Sequence, residues 1–402
     1  MSDGTTQIYL EPLWKMRRSY LDLVTHPPPG YQFAVAPGLL ESAATSASRS
    51  TLAYRAHWAL IKLAPIQLLK PALEIARRPP PGTALTWAIL HIDFRREPWV
   101  LDMSLEQPHL LAGSERMFDR WRWVILRALR SPHCRAIVCE LEIGRRALLE
   151  RLGAPDLADK VAVVHAAPPR RREVAPIRST ARRILFVNSG NIGAADHFYT
   201  HGGTLLAPVF RQIRRRHPEA TLVVRSRLPA ADRRELEDVG NVEIHEEMLS
   251  PDALDAQFRA ADVFLYPTHV TPSAALLDAM SYGLPIVTTD VWGNGEFLAD
   301  GESGFLVHHP SQSAFTTGAI VHFDSTAYRR AIRSRDDSLV TGLAEAVARL
   351  LGDQALRARI GAAALERVTK GPFSPVERLR ALTGVIERAI SVAGLTPLEV
   401  VR

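Results

Sequence analysis

The chain has 402 residues, of which 47% are hydrophobic and 23% charged, and a formal net charge of +6. That length accommodates two domains of ordinary size, each with its own core, and no apolar run reaches the ~18 residues that a membrane-spanning helix needs. Two cysteines, Cys134 and Cys139, exclude a disulfide framework. Their spacing suits neither a metal nor a redox motif, so they read as small core residues in a reducing, cytoplasmic setting.

Taken in chain order, the first 18 residues lack the basic start and apolar stretch of a signal peptide. A Pro-rich loop over residues 25–35 leads into a short strand. Residues 51–78 predict a helix, with Leu60, Ile61, Leu63, Leu68 and Leu69 on apolar faces and a stop at Pro79 to Gly82. Strands are predicted at 86–92, ending at Asp93, and at 98–102. A helix over 116–130 is stopped by Ser131-Pro132. A strand at 136–139, a helix at 143–152 and a strand at 161–164 follow. This alternation predicts a parallel sheet with helices.

Residues 166–182 are polar and Pro-rich, the best linker in the chain. A second sheet is predicted from strands at 183–187, 220–224, 242–244, 263–266 and 285–289, with helices at 205–217 and 254–260 between them. The helix after strand 263–266 opens near Ser273 and ends at Gly283. The chain closes on amphipathic helices at 339–351, 354–368 and 376–393.

Charge is uneven, since residues 1–175 hold 24 Lys/Arg against 17 Asp/Glu. Basic residues flank aromatics in Trp14 to Tyr20 and in Arg116 to Trp123. An Arg-rich solvated face explains this, and so does peripheral contact with an anionic membrane surface. No nucleic-acid partner is expected, because no zinc-finger, homeodomain or RNP signature accompanies the charge.

The most informative stretch runs from Val263 to Pro310. It holds Asp278-Ala279-Met280, Gly283-Leu284-Pro285-Ile286-Val287, a Gly-rich loop with Gly293, Gly295 and Glu296, and Asp300-Gly301 through Val307. These residues resemble the donor-binding signature of the retaining glycosyltransferases of family 4, over about residues 180–400. The resemblance implies an α/β fold of two Rossmann-like αβα domains facing a cleft (GT-B). Residues 1–175 would be the acceptor-side domain and 176–375 the nucleotide-sugar-binding domain. Residues 376–402 would be a helix crossing back to the first domain. It also implies a nucleotide diphosphate sugar as donor substrate, an unidentified acceptor, no cofactor and no metal. The expected location is the cytoplasm, including the inner face of the membrane.

The chain departs from the family pattern at defined positions. The first glutamate of the pattern falls at Val270 and the second at Asp278. Thr271, Pro272 and Ser273 replace small residues between them, and Pro272 has no N–H to offer. The phosphate loop corresponds to Asn188-Ser189-Gly190-Asn191-Ile192-Gly193, and the family's lysine position to His201.

The candidate donor-binding residues are therefore Asn188, Gly190, Asn191, Gly193, His201, Arg225, Arg227, Glu247, Met248, Leu249, Thr271, Ser273, Asp278 and Glu296. Gly190 and Gly193 let backbone approach a phosphate, and Arg225 and Arg227 end a strand where a guanidinium can grip one. Glu106 and His109 in the first half, with Arg225, are the catalytic candidates. The implied mechanism is transfer with retention, driven by electrostatic stabilisation of the leaving diphosphate and closure of the two domains. Three readings stay open. One is an active family 4 transferase, one a catalytically reduced homologue serving as partner or scaffold, and one a different GT-B enzyme.

Overall fold

The computed structural model describes residues 5–12, 18–36, 65, 68–69, 79–103, 108–169, 175–178, 180, 182–188 and 195–391. They form two compact units. The first comprises the described residues up to His165, with 318–320 and the chain from Val376; the second holds the remainder from Ala166 to Pro375.

The first unit is built on strands β1 (Thr6–Pro12), β2 (Tyr31–Val35), β3 (Thr83–Ile89), β4 (Trp99–Asp102), β5 (Cys134–Cys139) and β6 (Val161–Val163). They pair in the order β2-β1-β3-β4-β5-β6, and every pairing is parallel. A parallel sheet is covered on both faces, so its central strands read as continuous apolar runs. β4 is buried at all four positions and β3 from Leu85 onward. The helix Pro375–Ser391 buries Leu382, Val385, Ile386, Ala389 and Ile390 in the core of this unit, and its Arg378 pairs with Asp22.

The second unit has strands β7 (Arg183–Val187), β8 (Thr221–Arg225), β9 (Val242–His245), β10 (Val263–Tyr266), β11 (Ile286–Thr289) and β12 (Phe305–Val307). Their order is β12-β11-β10-β7-β8-β9, again all parallel. Asp262 fastens the start of the sheet. Its carboxylate accepts from the amides of Arg182 and Arg183 at 2.8 and 2.9 Å and from the Arg178 guanidinium at 3.0 Å. Residues 175–178 thus already belong to the second unit, and the Ala175 amide donates to the Tyr282 carbonyl at 2.8 Å.

Both sheets reverse their winding direction once, between β1 and β3 in the first unit and between β7 and β10 in the second. In open α/β sheets, ligands bind at the carboxyl ends of the strands that flank such a switch point.

Several elements differ from the sequence expectation. β3 runs three residues earlier than predicted and stops at Ile89, because Leu90 turns to φ +58°. The sequence reading did not identify β1 or the helices Arg18–Thr25, Ala195–Thr200 and Ala230–Val239. The predicted helix at 51–78 lies outside the described residues except at three positions.

Candidate active site

At the switch point of the second unit, the polar groups come from the ends of β7 and β8, from the chain after residue 195 and from the segments following β10 and β11. Arg225 closes β8 with a side chain that is only 4% exposed. Its Nη1 donates to the Asn188 carbonyl at 2.6 Å and its Nη2 faces Met248 Sδ at 2.9 Å. Its Nε is shut off from solvent without a hydrogen-bond partner. Burial lowers the pKa of this guanidinium, and no acid among the described residues acts to raise it. A buried cation without a counter-ion is costly, and an anionic ligand would supply the missing charge. Arg227, two residues on, is exposed.

Asn188 organises the end of β7. Its side-chain amide donates to Ser226 Oγ at 3.2 Å, and its Oδ1 lies 3.1 Å from His197 Nδ1. A row of imidazoles continues from there. The rings of His197 and His201 are 4.6 Å apart, and His201 lies 5.5 Å from the Tyr266 ring. His269, just beyond β10, places its Nδ1 2.7 Å from His309 Nε2. Burial, then His197 and His269, push the pKa of His201 well below its usual value. Burial and His309 push His269 down to about 3. His201 therefore stands neutral at the expected lysine position and brings no charge to a phosphate.

The turn into the next helix needs glycine. A Cβ on Gly202, which has φ +79°, would sit 1.7 Å from the Pro267 carbonyl oxygen, and one on Gly203 would meet the Phe198 ring at 2.3 Å. This close approach holds the helix Gly203–Arg216 against the end of β10, where the His269 amide donates to the Thr200 carbonyl at 2.9 Å.

On the other side of the switch point, Thr271 Oγ accepts from the Gly293 amide at 3.0 Å, and Thr289 Oγ donates to the Thr268 carbonyl at 2.6 Å. These bonds fasten the loop after β10 to that after β11. Val270 packs against a satellite apolar cluster of Val291, Phe315, Val321, Tyr328, Ala331 and Ile332, together with Trp292. Ser273 opens the helix Ser273–Ser281, and Asp278 sits half-buried in its second turn. Glu296 is half-buried on the short helix Asn294–Phe297, and its carbonyl accepts from Arg367 at 2.7 Å.

Residues 186–324 match the family model described as Glycosyl transferases group 1. No curated protein sequence matches the chain. Among solved structures it is similar to a glycosyltransferase from Rickettsia africae ESF-5, at 10% identity and TM-score 0.60 over 96% of this chain and 99% of that one. It is also similar to Anabaena Alr3699/HepE in complex with UDP and glucose, at 13% identity and TM-score 0.57 over 95% and 99%. A mutant of S. aureus TarM, in complex with Fondaparinux, alpha-GlcNAc-glycerol and UDP, matches at 12% identity and TM-score 0.50 over 75% of this chain. The chain spans 55% of the TarM length. At these identities the likeness is one of fold, the GT-B arrangement of two parallel six-stranded sheets with flanking helices. The match and the fold together support a glycosyltransferase enzyme.

Within the matched segment, the candidate residues fall into three places. Asn188, His201 and Arg225 gather where β7 and β8 end. Thr271, Ser273, Asp278 and Glu296 belong to the segments after β10 and β11. Glu247 and Met248 are exposed and Leu249 half-buried in the loop after β9. Gly190, Asn191 and Gly193 lie outside the described residues, as does Glu106. His109 sits in the first unit on the turn Pro108–Leu111, where its carbonyl caps the amides of Ala112 and Gly113. His269 and His309 were not among the candidates. Their only sequence signal is a histidine shortly after each of two apolar strands.

Proposed function

We propose that the chain transfers a sugar from a nucleotide diphosphate sugar to an acceptor hydroxyl with retention of configuration. The observation that carries this is Arg225, a buried guanidinium without a carboxylate partner among the described residues, placed beside the switch point of the segment that matches the group 1 glycosyl transferases. The diphosphate lies against Arg225 and the loop after β7. As the bond to the sugar breaks, charge grows on the leaving oxygen, and a preorganised cation in a dry setting stabilises it without reorganising. Asp278 accepts hydrogen bonds from donor hydroxyls. Because UDP accompanies both HepE and TarM, uridine nucleotides come first in the test.

A second reading, a catalytically reduced homologue acting as partner or scaffold, is favoured by one observation. Val270 faces an apolar cluster where the resembled family has an acid. Incubation with a panel of UDP-, GDP- and dTDP-sugars, with mass spectrometry of the products, separates the two. The transferase reading expects one donor to be consumed, and the scaffold reading expects none.

The partner surface follows from the helix Glu115–Arg130. Arg116, Arg120, Arg122 and Arg127 are exposed on it, beside Trp123 at 63% exposure. Trp123 stacks on Trp121 with ring centroids 6.4 Å apart. Basic charge with an amphipathic ring suits an anionic lipid surface, so the acceptor is presented at or near a membrane. Among the described residues no helix is long and apolar enough to cross one.

A further inference from the structure

Segments that follow β7, β10 and β11 meet on one apolar surface in the second unit. Tyr199 on the helix Ala195–Thr200, Val270 after β10 and Trp292 after β11 are half-buried, and all three pack on the satellite cluster together with Phe323. Most of the floor of that cluster comes from residues 308–336, the stretch between β12 and the helix Asp337–Gly352. There Phe315 is 1% exposed, Ile332 3% and Tyr328 4%.

Trp292 is the point of strain on this surface. Its φ is +47°, in the left-handed region. That backbone is costly for a bulky side chain and persists only where the surroundings enforce it. Two hydrogen bonds do so. The Trp292 amide donates to Gln312 Oε1 at 3.0 Å, and the next amide, of Gly293, donates to Thr271 Oγ at 3.0 Å. Glycine would adopt this backbone freely. The chain instead carries an indole there, keeps it half exposed and sets it on the same cluster as Val270. Strained residues of this kind gather at ligand clamps.

The two flanks of the switch point differ in chemistry. On the β8 side stands the buried cation of Arg225. On the β10 and β11 side, Asp278 and Glu296 bring half-buried carboxylates, while Val270 brings hydrocarbon and Trp292 an indole. Neither of the last two side chains offers an oxygen to a hydroxyl. A sugar ring settled on this flank meets acceptors along one edge and an apolar wall along another. A hydroxyl turned to the wall gives up water without gaining a partner, whereas a methyl group in its place gains contact. We propose that Val270 and Trp292 select a 6-deoxy sugar on the donor, a hexose whose C6 is a methyl group lying on these two side chains. The proposal rests on the donor reading given above and narrows it. Val270 then serves as a fitted contact for the sugar, and Gln312 and Thr271 are positioning residues that hold the Trp292 turn.

The test uses pairs of intact donors that differ only at C6: UDP-glucose with UDP-6-deoxyglucose, GDP-mannose with GDP-6-deoxymannose, and dTDP-glucose with dTDP-6-deoxyglucose. Affinity for the full chain is read by calorimetric titration, with UDP, GDP and dTDP alone as controls, so the result does not depend on turnover. In the pair that binds, the 6-deoxy member should bind about 10- to 100-fold more tightly, the range an apolar pocket gives against an added hydroxyl. Trp292→Gly removes the indole and relieves the backbone, and should weaken the 6-deoxy member about tenfold. Val270→Thr places a hydroxyl on the wall at similar size, and should narrow the ratio by favouring the hydroxylated member; it serves if Trp292→Gly fails to fold. Neither change should alter affinity for the nucleotide diphosphate alone. The proposal is overturned if the members of a pair bind equally, if the hydroxylated member binds better, if no 6-deoxy donor binds, or if both variants keep the wild-type ratio. Nucleotide binding with any of these results sinks this proposal and leaves the donor reading standing, whereas failure of every nucleotide to bind sinks both.

Discussion

Replacing Arg225 by alanine probes the donor site most sharply, because the side chain's surroundings predict opposite effects on binding and on stability. The guanidinium is 4% exposed and makes one hydrogen bond to a backbone carbonyl, at 2.6 Å, with a thioether as its other partner. Removing it costs the free chain about 1 kcal/mol for the lost bond. It also relieves the desolvation of an uncompensated charge, which is of the same order or larger. The apo melting temperature of Arg225→Ala should therefore stay within a few degrees of wild type. Nucleotide binding behaves differently. A charge-assisted contact to a phosphate is worth about 1.5–3 kcal/mol, so the Kd for UDP should rise roughly 10- to 150-fold. Arg225→Lys keeps the charge but not the planar fork, and should fall between the two. Calorimetric titration with UDP, paired with thermal melts with and without ligand, reads both quantities. A variant that melts much earlier yet binds UDP normally would show that Arg225 braces the ends of β7 and β8 and does not meet the donor.

Three further outcomes are expected. Asp278→Ala should weaken donor affinity or turnover by about 2–3 kcal/mol and Asp278→Asn by about 1 kcal/mol, since the amide keeps size but loses charge; wild-type values in both would make Asp278 a structural acid. Because the His269 pKa is depressed to about 3 from the ordinary 6.5, the unfolded chain takes up a proton that the folded chain refuses. Its contribution to stability is whole above pH 6.5 and is lost as pH falls from there towards 3, at roughly 1 kcal/mol per pH unit. Urea melts at pH 7 and 5 should show this loss, and His269→Gln should flatten it; equal slopes in the two proteins would refute the assignment. Finally, Arg122→Ala combined with Trp123→Ser should lower partitioning onto phosphatidylglycerol vesicles about tenfold or more, with no effect on UDP affinity; unchanged sedimentation with vesicles would leave that helix as a solvated face.

Where the sequence was legible, the reason is continuous burial. β7, β8, β10 and β11 are runs of Ile, Leu, Val and Phe bounded by turn residues, because both faces of a parallel sheet are covered. β1 escaped notice because TQIYLEP buries only Ile8 and Leu10 and alternates with polar or half-buried neighbours. The site divides in the same way. Arg225 was legible from its place at a strand end, but which of Arg225 and Arg227 turns inward depends on local backbone direction, and only the former is buried. The His269–His309 pair and the joint packing of Val270 and Trp292 on one cluster bring together residues distant in the chain. They meet only because parallel pairing aligns the carboxyl ends of neighbouring strands, and no local pattern records that. Leu90 carries no sign of its left-handed backbone, since glycine or asparagine is the usual occupant.

The most direct test of the whole account is product analysis with the donor panel. Purified chain is incubated with UDP-, GDP- and dTDP-sugars and neutral glycoside acceptors, and the products are followed by mass spectrometry and by proton NMR of the new anomeric centre. The account predicts that one donor is consumed, that a glycoside of unchanged anomeric configuration appears, and that Arg225→Ala abolishes it. Nucleotide binding without consumption of any donor, or a product of inverted configuration, would contradict it.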